Sequence, residues 1–491
     1  MIFVNQTKTN QILQIMNHTL RNDMKTKYAL YALAAGLVMT LTACDDYLSD
    51  TPKGQKIPTT YADFEALLRD EYTAHRIDAT QSLVLLNDRY LSQSNLSYYT
   101  YWAANYYWDE TADRILLNNK DESAYYNSYG GISTFNLIIE NSATLTECSD
   151  AERQELVAQC RVLRAMNYFH LVNYYSETYT AATAADRGGV PLILSANVGA
   201  PYTQPSVQGI YDQILDDMEQ AYPYLPVTAT TELHPNRATA DAFYARLYLQ
   251  MMQYDKALEY ANKALQANDA LYDWCAYYNQ MADKINNPTD YATLPAPNVF
   301  GYCENYNYRH GSNSYASTEY HMPLDRGARF EEGDARFLAR WKRYDAGNEL
   351  YYRGLLRGLI NYEGMTTVEV FLIKAECLAR LGQVAQAMET LNKVRQTRIL
   401  PTYYQPLSAN SEAEAVPQII RTKMNEMIMT TVPFCDARRL NAEGKYPITL
   451  SKQGPNGKLT LSPTSHLWTF PIPMGAIGNS GNGTIHQNVE K

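Results

Sequence analysis

The chain has 491 residues and is acidic, with 42 basic against 52 acidic side chains. This length allows one large domain or up to about three. A nucleic-acid partner is disfavoured, because phosphates are neutralised by a basic face. The unusual component is tyrosine, of which there are 42. Each tyrosine offers a flat apolar ring with a hydroxyl at its edge, so the composition favours ligands that are apolar on one face and polar at the rim.

The N-terminal segment has the pattern of an export signal. Residues 24–27, which include Lys25 and Lys27, precede a short apolar run, residues 28–40, and Leu-Thr-Ala-Cys at Cys44 follows. A membrane span needs about 20 apolar residues, and this run is shorter, so it is interpreted as a signal peptide. Its ending resembles a bacterial lipobox, in which Cys44 becomes the first mature residue and carries lipid. We therefore expect residues 1–44 to be an over-long start plus a cleaved signal peptide, and residues 45–60 to be a tether.

Two pairs of helices share one pattern of small residues. Ala245 and Ala257 are twelve residues apart, and small or apolar residues recur around them at helical spacing. Ala375 and Ala387 repeat the same separation within a similar pattern further along the chain. Small side chains at these positions let two helices approach closely. The pattern predicts helix-turn-helix units of tetratricopeptide type.

The wider pattern predicts a mainly α fold, a tetratricopeptide-like helical repeat scaffold with a long loop-rich insertion that carries the ligand site. The predicted parts are a single domain over residues 61–491, helical hairpins near 127–175, 207–265 and 368–430, and the insertion over 268–364.

Two aromatic stretches are the candidate ligand site. Residues 92–108 have no regular period, which predicts that part of this stretch is loop or exposed edge. A sugar ring has C–H faces that lie against an aromatic ring, and hydroxyls that pair with amide or charged side chains. The predicted ligand-binding residues are Tyr98, Tyr99, Tyr101, Trp102 and Asn105 in the first stretch and Trp274, Tyr277, Tyr302 and Tyr306 in the insertion.

Motifs for catalysis are missing from the sequence. It contains no HExxH, GxSxG or GxxxxGK[ST] motif and no dinucleotide fingerprint. Asp216 and Asp217 are interpreted as part of a solvated helix face rather than as an acid and base pair. The prediction is a binding protein and not an enzyme, with no catalytic residue, no cofactor and no metal.

The six cysteines after Cys44 contain no CxxC pair. We expect them to be small buried thiols, as free cysteines commonly are. Cys275 and Cys303 are the one pair that we consider for a disulfide bridge.

Several motifs occur in a characteristic order. They are CRVLRAMNYFHLVNYY, GGVPL, IYDQILDDMEQAYPYLP, the helix pair around Ala245, EVFLIKAECLARLG, DARRL and a closing FPIP. Together with the lipobox, this order resembles the SusD/RagB family of outer-membrane nutrient-binding lipoproteins of Bacteroidetes. The sequence departs from the family at residues 474–480, where an acidic residue usually follows PIP.

The resemblance implies a function. Such a protein would be anchored in the outer membrane by lipid, would face the cell exterior, would bind oligosaccharide through loops outside the repeats, and would deliver it to a SusC-like TonB-dependent transporter. Two alternatives stay open at this point. The same architecture would serve for oligopeptides, since a branch of the family resembles peptide-uptake components, or the scaffold would bind only a protein partner.

Overall fold

A computed structural model describes residues 58–118, 122–287, 294–311, 320–358 and 360–491. Within it, Thr60–Lys491 form one compact unit. The predicted signal peptide and the lipidation site at Cys44 lie outside the described residues, so both stay predictions.

The elements are given in chain order. The helices are α1 (Tyr61–Leu68), α2 (Thr80–Leu85), α3 (Gln93–Tyr98), α4 (Thr100–Tyr107), α5 (Arg114–Leu117), α6 (Ser123–Ser142), α7 (Asp150–Tyr175), α8 (Val207–Ala221), α9 (Arg237–Gln250), α10 (Tyr254–Ala267), α11 (Trp274–Asn286), α12 (Leu324–Gly327), α13 (Ala335–Arg340), α14 (Thr367–Arg380), α15 (Val384–Gln396), α16 (Glu412–Glu426), α17 (Val432–Glu443) and α18 (Met474–Gly478). The strands are β1 (Leu294–Pro295), β2 (Met322–Pro323), β3 (Trp341–Ala346), β4 (Glu349–Gly354), β5 (Leu356–Arg357), β6 (Leu450–Gly454) and β7 (Gly457–Leu461).

The helix pairs α9–α10 and α14–α15 form the centre of the fold. Ala245, Ala257, Ala375 and Ala387 are all fully buried, as the close approach of paired helices requires. The two pairs also meet each other, because α10 packs against α14. The prediction of a mainly α fold with tetratricopeptide-like helix pairs is confirmed.

The turns of the two helix pairs use the same backbone conformation. Met252 follows Ala245 by seven residues and has φ 59°, and Gly382 follows Ala375 by seven residues and has φ 78°. Glycine adopts this left-handed region without steric cost, whereas methionine is strained there. Gly382 therefore suits the turn between α14 and α15. In the turn between α9 and α10, the surrounding packing must hold Met252 in this unfavourable conformation.

A buried ion pair joins α8 to α7. Asp217 is fully buried and accepts hydrogen bonds from Arg161 (Nη1–Oδ1, 2.9 Å) and Arg164 (Nε–Oδ2, 2.8 Å). A carboxylate is stable inside a protein only when cations or other donors surround it. The interpretation of Asp217 as part of a solvated face was wrong, while its neighbour Asp216 is exposed as expected.

The predicted insertion contains regular structure. Asp273 accepts a hydrogen bond from the Ala276 amide at 2.9 Å and begins α11, which the sequence reading treated as irregular. Beyond α11, β1 pairs with β5 in parallel, and β2, β4 and β3 form an antiparallel sheet in that order. The C-terminal part has a separate hairpin, in which β6 pairs with β7.

The described cysteines carry no disulfide. Cys148, Cys160, Cys275, Cys303, Cys377 and Cys435 are all free thiols. Most of them are buried, as expected, but Cys303 is exposed. The bridge considered between Cys275 and Cys303 is not formed.

Candidate functional site

Two short helices present the first aromatic stretch. The Ser92 hydroxyl accepts a hydrogen bond from the Asn95 amide at 3.2 Å and begins α3. Tyr99 lies between α3 and α4 with φ −101° and ψ 80°, so the chain turns without a loop. Trp108 ends α4, and its buried indole donates to the Leu85 carbonyl at 2.7 Å. This stretch is therefore helical, which corrects the expectation of a loop or edge, and its end is anchored in the core.

Three rings of this stretch form a continuous surface. Tyr98 is 74% exposed and Tyr99 is 43% exposed, while Trp102 is half-buried. The Tyr98 and Tyr99 rings meet edge to face with centroids 4.7 Å apart, and Tyr99 stacks on Trp102 with centroids 4.3 Å apart. Adjacent rings held in fixed orientations suit a ligand that offers several apolar faces.

These rings line a cavity of about 570 Å³, which we call the aromatic cleft. Its volume lies within the range of small-molecule sites, roughly 300–1,000 Å³. The polar side chains that also line it include Asp78, Thr80, Gln81, Asn118, Glu122 and Ser123. The cleft thus offers ring faces together with hydrogen-bonding groups.

Glu122 is the unusual polar group of the aromatic cleft. It is 5% exposed, and its Oε2 accepts a hydrogen bond from Asn118 Nδ2 at 3.0 Å. Burial raises the pKa of Glu122 to about 8, and the nearby negative charge of Asp78 adds to the rise. The side chains of Asn118 and Tyr175 and the positive charge of Arg114 oppose it. Near neutral pH this carboxyl is therefore largely protonated and carries an O–H donor.

Arg89 connects the aromatic cleft to the predicted insertion. Its guanidinium carbon lies 5.4 Å from the centroid of the Trp102 ring and 3.9 Å from that of Tyr320. A cation between two ring faces is attracted by both and fixes their separation. Arg89 and Tyr320 were not predicted as site residues, because no local pattern links positions so far apart in the chain.

A further group of rings lies next to Arg89 in the chain. Tyr90 stacks on Tyr351 of β4 with centroids 4.4 Å apart, and Tyr351 also stacks on His321 at 5.0 Å. Tyr344 of β3 packs at 5.5 Å from Tyr351 and is 40% exposed. These residues were also missed, although the tyrosine-rich composition of residues 268–364 was a signal for Tyr344 and Tyr351.

The second predicted stretch does not form a ligand surface. Trp274 is 2% exposed and donates from Nε1 to the Tyr302 hydroxyl at 3.2 Å. The Tyr277 hydroxyl donates to the Pro295 carbonyl at 2.7 Å, and the Tyr306 hydroxyl donates to the Asn268 carbonyl at 2.6 Å. All four of these aromatic side chains are buried, so the expectation that they face a ligand is corrected. The physical reason is that α11 turns Trp274 and Tyr277 inward, while the hydroxyls of Tyr302 and Tyr306 form hydrogen bonds within the protein.

Two predicted residues of the first stretch are also interior. Asn105 is fully buried, accepts from Arg114 Nη1 at 3.2 Å and donates to Gln81 Oε1 at 3.4 Å, so its amide is used within the protein. Tyr101 is 8% exposed and only borders the aromatic cleft. Asn105 is therefore a structural residue, and the accessible predicted rings are Tyr98, Tyr99 and Trp102.

Metal sites and membrane-spanning helices are two features that the described residues lack. In the described ranges, no three side chains of His, Cys, Asp or Glu are grouped so that they could hold a metal ion. Among the helices given above, none combines the length and the apolar character that crossing a membrane requires.

The sequence matches a known family over part of its N-terminal half. Residues 46–249 match the SusD-like_3 family, described as starch-binding and associating with the outer membrane. A curated relative, SusD-like protein P2 of Formosa agariphila, is 24% identical over 250 residues. That match covers 48% of this chain and 46% of the relative, so the chain spans about half the length of the curated protein it matches.

Solved structures share the fold over most of the chain. A SusD superfamily protein from Bacteroides thetaiotaomicron superposes with a TM-score of 0.66 at 16% identity, covering 88% of this chain and 100% of the other. A SusD superfamily protein from Bacteroides vulgatus gives 0.68 at 15% identity, covering 88% and 99%. A SusD-like carbohydrate binding protein from the same species gives 0.63 at 17% identity, covering 88% and 100%.

Proposed function

The protein belongs to the SusD-like family, and we propose that it binds oligosaccharide in the aromatic cleft. The proposed full role is a lipoprotein, anchored in the outer membrane through Cys44 and facing the cell exterior, that delivers the glycan to a SusC-like TonB-dependent transporter. It carries out no chemistry on the glycan itself.

The observation that supports glycan binding is the exposure of connected rings beside hydrogen-bonding groups. Tyr98 and Tyr99 meet at a steep angle, so they present ring faces in different directions, while Trp102 is held between Tyr99 and Arg89. Fully burying one such side chain stabilises a complex by about 1.5–3 kcal/mol. Ordering of the side chains and the ligand offsets part of this, which leaves an affinity suited to capture and release.

Polar recognition would come from the other side chains of the aromatic cleft. Asp78 is half-buried and offers carboxylate oxygens, and Asn118 and Gln81 offer amide groups. The protonated Glu122 would donate a hydrogen bond to a sugar oxygen. A donor and several acceptors near stacked rings fit a polyhydroxylated ring better than an extended apolar chain.

Calorimetric titration of the purified protein against a panel of polysaccharides tests glycan binding. The panel begins with starch, which the family description names. Trp102→Ala is expected to weaken binding at least tenfold, about 1.4 kcal/mol. Tyr224→Ala, at a tyrosine that is 49% exposed and outside the aromatic cleft, is the matched control and should leave the affinity unchanged.

The same titrations separate the alternatives. No heat with any polysaccharide, together with binding of peptide mixtures, would assign the cleft to oligopeptides. Capture of a transporter with no small-ligand binding at all would favour a scaffold that binds only protein. Release of reducing ends from a bound glycan by the purified protein would contradict the non-catalytic assignment.

Anchoring and delivery need experiments in cells. Cys44→Ala is expected to abolish incorporation of a labelled fatty acid and to release the protein from the outer membrane. Cys303→Ala is the control, because Cys303 is an exposed thiol elsewhere in the chain. Co-purification of a TonB-dependent transporter with the tagged wild-type protein tests the proposed partner.

A further inference from the structure

A second cavity, with different lining residues from the aromatic cleft, has a volume of about 380 Å³. It lies among α16, the segment after α2, α12 and the chain that leads into β6. The greater part of its wall is apolar, contributed by Leu86, Ile420, Met424, Pro433, Ile448 and Leu450. Its volume is sufficient for a small molecule.

The guanidinium of Arg329, which lines this cavity, has no hydrogen-bond or ion-pair partner in the described part of the chain. Arg326, which also lines the cavity, is paired, since its Nε donates to Asp88 Oδ1 at 2.5 Å and its Nη1 to Asn425 Oδ1 at 2.9 Å. Arg329 is half-buried. Burial and the nearby positive charge of Arg326 lower the pKa of Arg329.

Other cations adjoin the cavity. Arg421 lines it and is exposed. Lys452 is two residues beyond Leu450, and its Nζ lies 3.5 Å from the centroid of the Tyr106 ring and interacts electrostatically with Arg329. Burial lowers the pKa of Lys452 to about 7, so this amine is only partly charged near neutral pH. The arginines alone outnumber the carboxylates: Arg326, Arg329 and Arg421 line the cavity, against Asp88 in the lining and Asp325 near Arg329.

We propose that this cavity binds a small amphiphile, a fatty-acid carboxylate whose anionic head pairs with Arg329 and whose chain lies between Ile420 and Ile448. A neutral apolar ligand would fill the same space but would remove water from Arg329 without giving it a partner, which is unfavourable. A carboxylate instead forms a charge-assisted, bidentate pair with a guanidinium. The head group of a membrane phospholipid shares this chemistry, so the experiment distinguishes the two sources.

Calorimetric titration of the purified protein with decanoate and with decanol tests the proposal. Both probes have the same chain length, and both are used below the concentration at which they aggregate. Decanoate should bind saturably to one site, and decanol should bind at least tenfold more weakly. Arg329→Gln should reduce the affinity for decanoate to that for decanol.

Two further variants give the controls. Arg69→Gln removes an arginine that is 48% exposed in a surface pair with Glu65, and decanoate binding should be unchanged. Ile448→Trp fills the cavity from a half-buried position and should abolish binding of both probes. The thermal unfolding temperature of each variant shows that it is folded.

Specific outcomes overturn the proposal. Equal affinity of the wild-type protein for decanol and decanoate would contradict a role for charge, as would unchanged decanoate binding in Arg329→Gln. Cosedimentation with phosphatidylglycerol vesicles that depends on Arg329, with no binding of free decanoate, would assign the site to the membrane surface instead.

Discussion

Two aromatic regions of this protein have opposite structural roles. The stretch around Trp102 forms two short helices and leaves Tyr98 74% and Tyr99 43% exposed, with Trp102 half-buried. The stretch around Trp274 forms one longer helix, α11, which packs against α13 and leaves Trp274 2% exposed. A high density of aromatic residues in the sequence therefore does not distinguish a buried core from an exposed surface. The distinction depends on which face of the helix is buried.

The largest expected difference is in stability. Trp274→Ala should lower the free energy of unfolding by about 3–5 kcal/mol, because it leaves a cavity where a large ring was packed. Trp102→Ala should cost clearly less, since its ring is already half in water. Urea denaturation at fixed pH measures both. Equal losses in the two variants would mean that the regions do not differ as the structure indicates.

The two aromatic regions also differ in how their buried carboxyl groups are paired. Glu304, near Trp274, is paired, as its Oε1 accepts from Arg398 Nη2 and from the Tyr272 amide, both at 2.7 Å. Glu122, in the aromatic cleft, is only partly compensated by the charge of Arg114, and burial raises its pKa to about 8 from an ordinary 4.5. The unfolded chain therefore loses the Glu122 proton first as the pH rises.

The raised pKa of Glu122 predicts that the free energy of unfolding depends on pH. The contribution of Glu122 to stability is greatest below pH 4.5 and falls as the pH rises toward 8, because the folded state must then either keep the proton or bury a charge. The slope is at most roughly 1.4 kcal/mol per pH unit. Glu122→Gln should remove this loss.

Urea midpoints at pH 5 and pH 8 measure the effect. The wild-type protein should lose more stability between these values than Glu122→Gln does. Glu140→Gln is the matched control, because Glu140 is exposed on α6 and its substitution should leave the pH dependence intact. Parallel pH profiles of the wild-type protein and Glu122→Gln would refute the raised pKa.

The hydrogen bond between Trp274 and Tyr302 is expected to make a smaller contribution to stability. Tyr302→Phe removes the acceptor of the Trp274 indole N–H and keeps the ring, so it should cost about 1–2 kcal/mol. Tyr344→Phe, at a tyrosine that is 40% exposed, should change stability by less than about 0.5 kcal/mol. Thermal unfolding of both variants makes the comparison.

The helical frame could be predicted from the sequence because its signals are local. The twelve-residue spacing of Ala245 and Ala257 repeats at Ala375 and Ala387, and all four side chains are buried as their spacing indicates. Within the first aromatic stretch, Tyr98, Tyr99 and Trp102 were predicted as site residues and are accessible. That prediction depended on aromatic density and not on a pattern that distinguishes a surface.

What could not be predicted depends on tertiary contacts. Arg89 reaches Tyr320 across more than half of the described chain, and no sequence period encodes that contact. Asp217 was predicted to be solvated, because the sequence does not show that Arg161 and Arg164 of α7 lie beside it. By contrast, Asp273 is a preferred helix N-cap residue and a local sequence signal for the start of α11. Trp274 was assigned to a loop because this signal was not used.

The smallest expected change in stability belongs to the most exposed ring. Tyr98→Ala should alter the free energy of unfolding by less than about 0.5 kcal/mol, because a side chain that is 74% exposed loses little packing. The same substitution should weaken glycan binding several-fold, since it removes one of the three connected rings. Tyr277→Ala should do the reverse, lowering stability while the folded fraction binds glycan normally. If Tyr98→Ala instead destabilises the fold and leaves binding intact, the roles assigned to the two aromatic regions must be exchanged.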